Sequence, residues 1–228
     1  MSPASSSEPP AKSGALSLIL PAIEWAYGRV IGQGLPGAAG TASFADDYLK
    51  ANPDTETAIK KLVNWQVAQA GTAGLISGLG GAITLPVSIP ANLVSVLYLQ
   101  LRMIAAIAHL RGYDVQSDKV RGLVIACLVG SSATDILKDV GVQAGTRLTQ
   151  QALAKLPAGF LLSINKAVGA RLAVKAGSTS AVNLSKLVPI MGGLVSGAFD
   201  AATTYGIAAA AKAIFVDLSA DTEKGAHP

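Results

Sequence analysis

Forty consecutive residues, Leu62 to Leu101, carry no Asp, Glu, Lys or Arg. Within them lie Gly71-Thr72-Ala73-Gly74-Leu75-Ile76-Ser77-Gly78-Leu79-Gly80-Gly81 and Leu85-Pro86-Val87-Ser88-Ile89-Pro90. A run of that length has to be withdrawn from water, into protein or into lipid. The backbone argues for protein, because glycine and proline break it where lipid would leave peptide groups unsatisfied. The segment that follows, from Ala91 to Arg111, has Leu93, Val94, Leu97, Leu101, Ile104, Ala105 and Ala108 at helical spacing. At about 21 residues it is long enough to cross a bilayer, yet it places Arg102 near its middle, where lipid makes a charge expensive. The expected arrangement is a hairpin packed inside protein, with a transmembrane or re-entrant hairpin as the alternative.

Small residues decide how such a hairpin packs. Gly71, Gly74 and Gly78 give one helix face without side chains, so a neighbouring backbone can approach closely. A second apolar helix, expected from about Ile190 to Val216, repeats the pattern with Gly193 and Gly197 and a run of alanines. Its one charge between Lys186 and Lys212 is Asp200. The odd charge of each helix suggests either a buried Arg102–Asp200 ion pair or a polar spot at the bottom of a hydrophobic cleft.

The remaining chain reads as amphipathic helices. Residues 1–13 are rich in Ser and Pro and are expected to be a disordered tail. The apolar run after Lys12 is too short and too quickly followed by Glu24 for an export signal. A helix then runs to Gly32. Ser43 is the expected cap of the next helix and Asn52-Pro53 of the one after. Ser117 is expected to cap a helix that Gly130-Ser131-Ser132 interrupts before Ala133 to Val140, Gly141 to Leu156 to form another, and Gly159 to Lys175 an amphipathic one ended by Gly177. Residues 218–228 are polar and expected to fray. With no strand alternation anywhere, the chain is predicted to be all-α, a single compact helical domain over 14–217 with two glycine- and alanine-rich apolar segments at its centre.

Between Val140 and Phe199 there is no acidic residue, while Arg147, Lys155, Lys166, Arg171, Lys175 and Lys186 are all basic. Such a segment suits anionic lipid or an acidic partner. Nucleic acid is disfavoured, since the cations are sparse and few aromatics accompany them. No catalytic constellation is visible. Ser77 lacks the glycine and the strand of a nucleophile elbow, Gly78-Leu79-Gly80-Gly81 lacks the Lys-Ser/Thr of a phosphate loop, and His109 and Cys127 have no companions at metal-ligand spacing. Asp114 and Asp118 suit a turn and a helix start. Neither a cofactor nor a metal is expected.

The glycine segment with Leu85-Pro86 and Ile89-Pro90, then Gln100-Leu101-Arg102-Met103-Ile104 and Arg111-Gly112-Tyr113-Asp114, resembles the EcsC protein family. The resemblance resumes at Asn165-Lys166-Ala167-Val168-Gly169, Asn183-Leu184-Ser185-Lys186-Leu187-Val188-Pro189 and Phe199-Asp200-Ala201. Asn92 and Leu75 depart from it, standing where many relatives have Asp and an aromatic. The family, named after a product encoded beside a bacterial ABC transporter, implies a hydrophobic, membrane-associated protein, and it supplies no catalytic residues to carry over. The expectation is thus a non-catalytic accessory protein, cytoplasmic and peripheral to the inner membrane, binding anionic lipid or a membrane protein complex. The alternative is a soluble helical domain holding a lipid or other hydrophobic ligand in an apolar cleft, and an enzyme comes third.

Overall fold

The computed structural model describes residues 10–32, 34, 39–70, 91–142, 148–180 and 193–218, and every regular element among them is helical. In chain order these are α1 (Pro10–Ile31), α2 (Thr41–Lys50), α3 (Thr55–Ala70), α4 (Ala91–Leu110) and α5 (Asp118–Cys127). A single 3-10 turn, Gly130–Ser132, leads into α6 (Ala133–Asp139), followed by α7 (Gln150–Ala154), α8 (Phe160–Ser180) and α9 (Gly193–Ile214). The glycine segment, with Gly71, Gly74 and Gly78, lies outside the described residues, as does the surrounding of Gly193 and Gly197 on α9.

The axis of the fold is α4. Leu101 and Met103 to Ala108 are all fully buried, so the second half of this helix is enclosed on nearly every side, with Arg102 as its one buried charge. α1, α2, α3, α5 and α9 pack around it, while α8 closes the far side against α1 and α5. Among the described residues no helix is long and apolar enough to cross a membrane.

Several ends fall elsewhere than the sequence suggests. α1 starts at Pro10, inside the stretch expected to be a tail, and continues through Pro21. α2 starts at Thr41 rather than after Ser43, because the Thr41 hydroxyl donates to the Val30 carbonyl at 2.6 Å and pins α2 to the end of α1. Asp54, not Asn52, caps α3: its Oδ1 accepts from the Thr57 N–H at 2.8 Å. Asn52 instead donates to the Tyr48 carbonyl and closes α2. The helix expected over Gly141 to Leu156 is only the five residues of α7 among those described, since Gly141 holds a left-handed φ of 91° that turns the chain. Gly177 does not end α8, which runs on to Ser180; an interior glycine costs a helix only about 1 kcal/mol, less than tertiary packing supplies. Gly112, with φ 84°, does terminate α4 as expected.

Candidate functional site

α8 carries the middle of the acid-free segment and separates it into two faces. Phe160, Ile164, Val168 and Ala173 are buried against α1 and α5. Gly122 on α5 is what lets α8 come so close, because a Cβ there would stand 2.8 Å from Phe160 Cε1. The outer face presents Leu162, Ser163, Lys166, Ala170 and Val174 to solvent.

The predicted cations take different fates. Lys155, just past α7, and Lys166 are exposed and form no ion pair among the described residues. Arg171 is half-buried and reaches back to Asp139 on α6 at 3.3 Å. Arg147, Lys186 and the side chain of Lys175 lie outside the described residues. Where α5 begins, the Lys119 ammonium donates to the Ala154 carbonyl at 2.8 Å, tying α7 to α5. Beside it, an open cleft of about 480 Å³ is lined by Asp118, Lys119, Pro157, Phe160, Leu161 and Leu162, among others. Glu24 of α1 borders this region, accepting from both Arg121 and Asn165, while the Arg121 guanidinium lies over the Tyr27 ring. The Tyr27 hydroxyl is buried and donates to the Val115 carbonyl at 2.8 Å; burial raises its pKa well above the usual phenol value, partly countered by Arg121.

Arg102 is buried, and its described partners belong to the loop before α2 and to α2 itself. One Nη donates to the Ala39 carbonyl at 2.8 Å, and the guanidinium lies 3.9 Å from the centre of the Phe44 ring. Burial lowers its pKa, with Tyr98 and Tyr48 acting in the opposite direction. Asp200 lies on α9, and its side chain is outside the described residues. A second buried cation, Arg111, shows in the sequence only as a helix end. It is 8% exposed and donates to the carbonyls of Lys212 and Phe215 and to the Glu56 carboxylate. His109 pairs with Asp46 at 3.0 Å, Asp114 accepts from the Gln116 N–H in a turn, and Cys127 is fully buried. No three His, Cys, Asp or Glu residues come together to hold a metal among the described residues.

These features define an all-helical domain with internal arginines committed to architecture and with Lys155 and Lys166, before and on α8, exposed without an ion pair among the described residues. A family model for the EcsC protein family matches residues 53–216, most of the chain, and the protein belongs to that family. No curated protein and no solved structure matches it.

Proposed function

We propose that the protein is a non-catalytic accessory protein that associates with the anionic surface of a membrane, on the cytoplasmic side. The observation that supports this most is the contrast between cations. Arg102, Arg111, Arg121 and Arg171 are each engaged by carbonyls, carboxylates or rings, whereas Lys155 and Lys166 stand exposed with no counter-ion among the described residues. Unpaired lysines in an acid-free segment are available to lipid phosphates, each adding about 1 kcal/mol near an anionic surface. Co-sedimentation tests it: the protein is expected to pellet with anionic vesicles, less so as salt rises, and not with neutral ones. Failure to pellet with either would sink the proposal.

One observation favours the second reading, a bound hydrophobic ligand. The cleft beside α8 has Pro157, Phe160, Leu161 and Leu162 in its wall, with Asp118 and Lys119 at one side. Native mass spectrometry of the purified protein would then show a retained lipid.

A further inference from the structure

We infer that α8 lies along the membrane interface by its outer stripe, with Leu162 as the side chain that enters the acyl boundary. The inference rests on the membrane reading above and specifies the contact face. Ten residues, Leu156 to Asn165, are uncharged and bracketed by Lys155 and Lys166. Of these, Pro157, Ala158, Gly159, Leu162 and Ser163 are exposed, forming an uncharged tip at the start of α8 with Leu162 as its large apolar side chain. Leu162 is 75% exposed, well beyond the next most exposed large hydrophobic side chains among the described residues, at 51%. The core does not need it, since Phe160 and Ile164 on the adjoining turns already fill the space against α5 and α1.

The stripe continues at four-residue intervals through Lys166, Ala170 and Val174, all exposed, so the four share one side of the helix. Arg171, on the flank, is turned toward Asp139 and leaves the stripe with Lys166 as its one charge. A leucine between two lysines is complementary to an anionic interface: the ammonium groups reach headgroup phosphates while the apolar side chain enters the boundary below them. Insertion of this kind depends on gaps in lipid packing as well as on charge, so curved vesicles should bind more strongly than flat ones of the same composition.

The test uses the full chain. Cys127 is fully buried, so an introduced surface thiol is the one that takes up a maleimide. With an environment-sensitive dye on Leu162→Cys, mixed phosphatidylglycerol and phosphatidylcholine vesicles are expected to give a marked blue shift. Val174→Cys should give a smaller one, and Lys60→Cys, exposed on α3, none. Leu162→Ser is expected to weaken binding roughly tenfold or more and to abolish the preference for small vesicles over large. Wild-type binding by Leu162→Ser, or no shift from the dye at 162 while the protein pellets, would overturn the inference and leave the membrane reading intact. Failure of the wild type to pellet with any vesicle would remove both.

Discussion

Arg111 donates through Nη1 to the carbonyl of Lys212 at 2.9 Å, joining the end of α4 to the last turn of α9. The same guanidinium serves the Phe215 carbonyl and Glu56, and the Arg111 carbonyl accepts from the Leu218 N–H at 3.2 Å. Arg111→Met leaves two carbonyls without their donor, and a loss of about 2–4 kcal/mol is expected in urea unfolding. Glu56→Gln should cost under about 1 kcal/mol, because the Glu56 side chain is 54% exposed and water screens the pair. Equal losses in the two variants would mean that the ion pair, not the carbonyl clasp, stabilises this corner.

Gly122 and Gly206 should respond in opposite directions to the same change. Gly122→Ala forces a methyl group against Phe160, itself 1% exposed and unable to swing aside, for an expected loss of about 1–3 kcal/mol. Phe160→Leu in that background should recover part of it. At Gly206, within α9, a Cβ would meet nothing within 4 Å, so Gly206→Ala should stabilise by about 0.5–1 kcal/mol. Thermal melts of the two single variants decide this directly.

Arg102 should prove coupled to Phe44. A double-mutant cycle with Arg102→Met and Phe44→Leu is expected to give an interaction energy of about 0.5–2 kcal/mol, the range for a partly desolvated cation over a ring. A coupling near zero would show that Arg102 is held by the Ala39 carbonyl alone.

Alkali should destabilise the fold. Burial raises the pKa of both the Tyr27 phenol and the Cys127 thiol, so the folded state keeps protons that the unfolded chain gives up. Their stabilisation is complete below the ordinary thiol and phenol pKa values and declines as pH rises through them, the thiol acting first. Tyr27→Phe should flatten the decline above about pH 10, at a cost near 1 kcal/mol at neutral pH for the lost bond to Val115. A thiol reagent should reach Cys127 only at the unfolding rate; rapid modification of the native protein would contradict its burial.

If Lys155 and Lys166 meet lipid phosphate, Lys155→Ala and Lys166→Ala should each weaken anionic-vesicle binding about fivefold. Arg171→Ala, whose charge is already shared with Asp139, should change it much less.

What could be read from the sequence followed local rules. The apolar periodicity of α4, the glycine stop at Gly112 and the all-helical class depend on neighbours three or four residues apart, and the structure agrees with each. Arg102 was conspicuous as a lone charge, but its described partners come from a Gly/Pro loop and a ring about sixty residues upstream, as with the 63 residues separating it from Ala39. Arg111 looked like an ordinary helix end because its acceptors, Lys212 and Phe215, lie 101 and 104 residues away. The cap of α3 falls two residues beyond the expected one because two polar side chains compete there: Asp54 caps α3 while Asn52 closes α2. The contact of Gly122 with Phe160 had one faint signal, a glycine in the midst of an apolar helix. On α8 the acid-free composition was plain, but only tertiary packing could separate paired Arg171 from exposed Lys166.

The span that matches the family, 53–216, begins and ends at one place. Glu56, in the first turn of α3, and Phe215, just past α9, both bond to the Arg111 guanidinium. The matched span is therefore fastened near its own ends, while α1 and α2, upstream of that seam, supply buried side chains such as Ile23, Tyr27 and Ala45 to the core around α4. Since the two ends of the matched span meet at Arg111, the chain on either side of that span leaves from the same corner of the fold.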